Sequence, residues 1–335
     1  MRFENSQVPP RRRIGRVLAL LCVFSAAAAS SPVQAQTPYP SRAIRFVVPF
    51  SPGSASDILA RAVGDKLAQS WGQPVIIENR PGAGGTIATG LAAKAEPDGY
   101  SLIVVSAGHV VNPAIYDNLS YDTLKDLAGV VPLANLPAVL VVPPSQGARS
   151  VKDLVNAAKA RPGQFNFVSG GVGSASHVNA EKFRFSAGVA AVHVPLKGAP
   201  EMALELMAGR ADFGFMPLIA ALPLIKDGKL VALAVSGGKR AAVLPEVPTM
   251  VEAGEPGGQF DFWIGLLAPT RTPRDIVSRL NREIGRILEL PEVRERLARL
   301  GAEQMRMDPE QFDAYMASEL KTLGAVMRAA GVKAQ

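Results

Sequence analysis

The 335-residue chain has one cysteine, three histidines and, beyond its first thirty residues, no apolar run long enough to cross a bilayer. Each scarcity removes a class of chemistry. Cys22 is the only thiol, so neither an internal disulfide framework nor a cysteine-built zinc site is open to this chain. His109, His177 and His193 fall in no H-x3-H or H-E-x-x-H spacing, so no metal site is expected. Strong charge of one sign is also missing. The formal charge is +7, but residues 1–35 hold five arginines and one glutamate, a net +4, which leaves +3 on the remaining 300 residues. That balance gives no reason to expect a nucleic-acid partner.

What stands at the front explains the displaced charge. Arg11, Arg12, Arg13 and Arg16 form a basic head, residues 17–29 are apolar or small, and Val33-Gln34-Ala35 offers a small-x-small cleavage site. Residues 1–35 therefore read as an export signal cut after Ala35. The apolar stretch falls short of the roughly 20 residues that a membrane anchor needs. The run RRRIGR resembles a twin-arginine leader, so the export route is Sec or twin-arginine. Leu21 stands before Cys22, where a lipoprotein box wants a small residue, and this argues against lipidation.

Behind the signal, 300 residues rich in Val, Leu, Ile and Ala can fill two cores. RAIRFVVPF at 42–50 ends in the continuous apolar run of a strand buried on both faces. In the loop SPGSASD, Asp57 is expected to cap a helix that stops at Gly72. VIIEN at 75–79 and SLIVVS at 101–106 are further strands, separated by RPGAGG, a small-residue helix to about Lys94 and a PDGY turn. This alternation implies right-handed crossovers and a parallel sheet. A second set of units begins near Val139. It contains a helix capped by Ser150, the strand FNFVS, the loop GGVGSASH and a helix to Gly188. The strands AAVHVPL, ADFGFM and LVALAVS follow with helices between them. FDFWIGLLAP reads as a last strand, and the C-terminal end as helices, one of them opened by Asp308-Pro309. No repeat of fixed period is evident. The expected fold is α/β with two lobes: residues 36–137 and 259–335 form lobe one, residues 138–258 lobe two, and the ligand cleft lies between them.

In open α/β sheets, ligands sit at the carboxyl ends of strands. SPGSASD, RPGAGG and GGVGSASH all lie at such ends. The stretch SGGVGSASH, residues 169–177, admits three readings. As a dinucleotide loop it fails, because Ser176 stands where G-x-G-x-x-G needs its third glycine, and no G-x-x-x-x-G-K-[ST] occurs elsewhere. As a hydrolase nucleophile it lacks the G-x-S-x-G elbow, and His177 adjoins Ser176 at a helix start, where neighbouring side chains diverge. As an anion cradle it fits: glycines turn amides inward, serines add hydroxyl donors, and a helix start adds partial positive charge. A helix dipole contributes about 2 kcal/mol at best, whereas micromolar binding needs about 8 kcal/mol. Charge-assisted hydrogen bonds and a second, closing wall must supply the difference.

Taken in order, YPSRAIRFVVPFSPGSASDILAR, ENRPGAGG, EPDGYSL, SGGVGSASH, VHVPLKG, LPEVPTMVEAG and FWIGLLAPTRTP resemble the receptors of tripartite tricarboxylate transporters. These are the TctC-like periplasmic binding proteins, also called Bug proteins. The resemblance spans essentially the whole chain behind the signal. It implies a type II-like, two-lobed periplasmic-binding-protein fold, a periplasmic location and a monomer. The ligand it implies is a small organic carboxylate, with no cofactor and no catalysis. Carried over by motif, Ser169, Gly173, Ser174 and Ser176 would hold the carboxylate from lobe two. Phe50, Ser51, Pro52, Ser54 and Asp57 belong to the loop that covers the other end from lobe one. The implied partners are membrane permease subunits. A sensor protein as recipient and a periplasmic hydrolase on the same scaffold are the alternatives. Three residues depart from the family's usual pattern: Ser54 replaces a glycine, Leu196 a tyrosine, and the Met216-Pro217 wall is more apolar.

Overall fold

A computed structural model of the chain describes residues 1–3 and 39–333. All but three residues of the expected export signal lie outside the described residues. The chain from Pro40 onward forms one unit built on two five-stranded sheets with helices between the strands.

The first sheet contains β1 (Ile44–Val48), β2 (Val75–Asn79), β3 (Ser101–Ser106), β4 (Leu127–Leu136) and β10 (Phe262–Pro269), in the order β2-β1-β3-β10-β4. The second contains β5 (Ala138–Val142), β6 (Phe165–Ser169), β7 (Ala191–Pro195), β8 (Phe213–Pro217) and β9 (Val231–Val235), in the order β7-β6-β8-β5-β9. The two sheets have the same topology. In each, a central strand pairs in parallel with two neighbours, β1 with β2 and β3, β6 with β7 and β8. In each, a further strand then runs antiparallel between the third and the fifth, β10 in one sheet and β5 in the other. The parallel order expected for the first three strands is present, and the antiparallel member completes each sheet.

The helices follow the expected boundaries closely. α1 (Ala55–Trp71) crosses from β1 to β2 and stops at Gly72, whose backbone is left-handed. α2 (Thr86–Ala93) leads to β3, and α3 (Asn112–Ile115) is a single turn beyond it. The second sheet carries α4 (Val151–Ala160), α5 (Ala175–Ala187), α6 (Ala199–Met207) and α7 (Leu218–Lys226). The chain ends in α8 (Arg274–Leu288), α9 (Pro291–Arg299) and α10 (Pro309–Ala329). Ser150 caps α4, and Asp308 opens α10 in a reciprocal capping box with Gln311. α10 packs back on β4, where Phe312 fills the space above Gly129 and Gly265. Trp263 meets Phe312 edge to face.

Two expectations need correction. The cap of α1 is Ser54, whose hydroxyl accepts the Asp57 amide. Asp57 sits in the first turn and reaches back to the Gly53 amide. Strand β4 was not foreseen, since LAGVVPLANL carries a glycine and a proline inside the run. It is an edge strand, and its pairing with β10 shifts register beside Pro132, which is where a sheet tolerates a residue without an amide donor.

Candidate functional site

The loops after β1 and after β6 occupy equivalent places in the two sheets, and they share a sequence: Gly53-Ser54-Ala55-Ser56 and Gly173-Ser174-Ala175-Ser176. Their backbones match as well. Gly53 and Gly173 have φ of 82° and 80°, a left-handed conformation that an L side chain resists. Ser54 and Ser174 are extended caps with φ, ψ of −67°, 161° and −65°, 157°. The Ser54 amide donates to Ser51 O at 3.1 Å, and that of Ser174 to Gly171 O at 3.0 Å. Each cap hydroxyl accepts the amide three residues on, at 3.4 and 3.3 Å. The residue after the motif then closes the turn: Asp57 Oδ2 accepts the Gly53 amide at 2.9 Å, and His177 Nδ1 accepts the Gly173 amide at 3.1 Å. In each helix the two amides before the capped one, Ala55 and Ser56 or Ala175 and Ser176, have no intrahelical partner.

Both turns open on one small cavity. Ser54, Ala55 and Ser56 line it from the first sheet, and Ser174, Ala175 and Ser176 from the second. The start of α6 adds Gly198 and Ala199. The rest of the wall is largely apolar, with Phe50, Met202, Pro217 and Phe262, and no charged side chain lines it. Larger grooves lie elsewhere, one beside α8 and one near Lys239 and Glu303. Neither brings helix N-termini together, so size does not decide the site here.

The carried-over residues divide between the wall and its support. Phe50, Ser54, Ser174 and Ser176 line the cavity. Ser51, Pro52, Asp57, Ser169 and Gly173 stand behind or beside it. Asp57 accepts Gly53, Asn79 and a double contact from Arg61. Burial raises its pKa, but those bonds outweigh burial and hold the carboxyl below its ordinary range. Ser169 is fully buried; its hydroxyl lies 2.6 Å from His193 Nε2 and bonds to the Gly171 backbone. His193 stacks on His177 at 4.0 Å. Burial first, then the neighbouring His177, pushes the His193 pKa down to about 3. Both rings thus brace the loop from behind, and neither is hydrogen-bonded to Ser174 or Ser176, as a serine nucleophile's base would be. His109 is buried against Tyr121 and does not line the cavity.

Part of the site is not legible in the sequence. Ser56 and Ser106 line the cavity, are 2% and 4% exposed, and have hydroxyls without a hydrogen-bond partner among the described residues. Gly198 and Met202, from the loop and helix after β7, complete the wall. The matched tetrapeptides were the available signal for Ser56. A further feature spans the cleft: Ser51 Oγ donates to Glu201 Oε1 at 2.6 Å, and the Ser51 amide donates to Lys197 O at 3.2 Å. Glu201 Oε2 is buried without a partner. The RPGAGG loop does not line the cavity; it presses on the loop after β6, where Gly84 meets the Val172 carbonyl so closely that a Cβ would collide with it. Tyr116 ties the same place together, its hydroxyl 2.8 Å from Val172 O and 3.1 Å from Ala83 O. The cleft is therefore closed in this structure.

Comparison with known proteins bears directly on this geometry. The sequence profile of the tripartite tricarboxylate transporter family receptor matches residues 59–332. Protein BugT of Bordetella pertussis (strain Tohama I) is 36% identical over 323 residues, covering 95% of this chain and 98% of BugT. Among solved structures, R. palustris Rpa4515 with adipate superposes with a TM-score of 0.85 at 33% identity, covering 88% of this chain and all of that one. MatC (Rpa3494) from Rhodopseudomonas palustris with bound malate gives 0.83 at 32% identity, covering 86% of this chain and 99% of that one.

Proposed function

Since the chain belongs to the tripartite tricarboxylate transporter family of periplasmic solute-binding receptors, we propose that it binds a small organic carboxylate between its lobes and delivers it to membrane permease subunits. In this reading residues 36–137 and 259–335 form lobe one and residues 138–258 lobe two. The chain reaches the periplasm by a signal cleaved after Ala35. The observation that carries the reading is the wall of the cavity: free helix-start amides and serine hydroxyls converge there without any charged side chain. Such a surface stabilises an anion through oriented dipoles and discriminates against cations.

The mechanism is a clamp. A ligand carboxylate docks on the turn after β6, where the amides of Ala175 and Ser176 and the hydroxyls of Ser174 and Ser176 donate to it. Ser169, His193, His177 and Gly173 keep that turn in shape. Closure brings Phe50, Ser54 and the start of α1 over the other end and excludes water, which strengthens each hydrogen bond made to the anion. Nothing in this sequence of events requires turnover, and the protein acts by holding and releasing. The adipate and malate seen in its structural relatives support an aliphatic acid as ligand.

Protein stripped by urea and refolded should melt several degrees higher with one or more aliphatic mono- or dicarboxylates in a thermal-shift screen. A screen in which only sugars or cations stabilise the protein would overturn the reading.

A further inference from the structure

The chain passes from the first sheet to the second at Pro137 and back at Asp261. Ser236, fully buried directly after β9, ties the two crossings together. Its hydroxyl accepts the Ala138 amide at 3.0 Å and donates to Phe260 O at 2.9 Å, and its own amide donates to Ala138 O at 2.7 Å. These bonds make a pivot about which the sheets can turn. The geometry points to a latch beside that pivot: Lys182 on α5, bound to the second crossing and facing Glu319 on α10, draws the two sheets together and keeps part of the ligand-free receptor closed. This inference rests on the closing movement proposed above and goes beyond it, to the residues that bias it.

α5 begins at the turn after β6 and runs along this pivot. Ala175 meets Gly108, where an added Cβ would lie 2.8 Å from the Ala175 amide, and Ser186 presses on Gly257. Lys182 shares that stripe by its helical spacing. Its ammonium donates to Gln259 O at 2.7 Å and sits 5.6 Å from the centre of the Phe260 ring, both on the second crossing. No carboxylate comes within ion-pair distance of it among the described residues. The charges it faces are Glu319 and Asp261. Asp261 belongs to the crossing, whereas Glu319 belongs to α10, which packs on β4 of the first sheet and touches α5. Burial pushes the Lys182 pKa down, and both carboxylates oppose this. Burial, then Asp261, pushes the Glu319 pKa up, and Lys182 opposes it. The three groups thus act on one another through poorly hydrated space, where a Coulomb attraction exceeds its value in water. In the closed form Lys182 offsets the repulsion between two like charges. Opening carries α5 away from α10, so Glu319 loses the cation it faces while Asp261 stays on the crossing.

The test is the distribution of distances between two spin labels, read by pulsed electron resonance on the mature chain stripped by urea and refolded, at neutral pH and without ligand. Cys22 is the only cysteine and lies in the expected signal, so K94C at the end of α2 and K159C on α4, both exposed positions, carry the only labels. The wild type is expected to show an open and a closed distance. K182M and E319Q should each lower the closed-to-open ratio by about threefold or more, the order of a partly exposed ion pair. K182R keeps the charge and should leave the ratio unchanged. The double variant K182M/E319Q should lower it no further than the larger single effect, since the two residues act as one pair. A wholly open wild type, an unchanged ratio in E319Q, K182R behaving as K182M, or single effects that multiply in the double variant would each overturn the latch. If K182M does not fold, E319Q and K182R decide the question between them. No ligand enters the measurement, so failure here leaves the carboxylate-receptor reading standing.

Discussion

His109 shows how one residue's burial sets a measurable property. It stacks on Tyr121 at 6.0 Å, and neither ring nitrogen has a hydrogen-bond partner among the described residues. Burial lowers its pKa to about 4; the Thr123 backbone opposes this weakly, without reaching hydrogen-bond geometry. The folded form therefore keeps the ring neutral where an unfolded chain, with a histidine pKa near 6.5, would protonate it. The stability that this contributes is complete above about pH 6.5 and is lost progressively as pH falls toward 4. His193, also depressed, adds to the same slope. The melting temperature should fall between pH 7 and pH 4.5, and H109F should flatten that fall by removing one proton-binding difference. A H109F protein with the wild-type slope would contradict this account. At this scale the sequence was informative about type but not about partner. The sequence puts His193 in the middle of the strand AAVHVPL. That its partner is Ser169, and that His177 stacks on it, depends on how loop and strand meet.

At the scale of elements, strand-to-helix turns were the most legible part. Ser150, Asp308 and Gly72 punctuate their helices as their chemistry dictates. The cap of α1 was misplaced by three residues because serine and aspartate compete for the role, and the residue nearer the strand won. β4 was hidden because Pro132 and Gly129 oppose a strand reading, and only its edge position permits them. Least legible was the bond between Ser51 and Glu201, 150 residues apart. This bond ties the loop after β1 to the start of α6 across the cleft. Breaking it with S51A leaves the Glu201 carboxylate buried with no partner at either oxygen, a cost of about 1–3 kcal/mol on the closed form alone. Ligand release in stopped-flow measurements should accelerate by about tenfold or more in S51A, and less in E201Q, whose amide oxygen still accepts. Unchanged release in S51A would show that the contact does not hold the cleft shut.

Across the whole molecule, the two sheets repeat one topology, and the repeated strand-turn-helix unit puts like turns face to face. The α/β class and the glycine loops at strand ends follow from periodicity and turn chemistry. The convergence of two of these loops on one cavity does not, because it depends on how β5 and β10 carry the chain from one sheet to the other and back. Closure is likewise a property of the whole: Gly84 against Val172, Tyr116 across both, and Ser51 on Glu201. The cavity between the two turns is where the acid is expected to bind. A crystal structure with the carboxylate that stabilises the protein most tests it most directly. The prediction is carboxylate oxygens within about 3 Å of the Ala175 and Ser176 amides, with the lobes closed as here. An acid bound instead in the groove beside α8, with the cavity filled only by water, would contradict it.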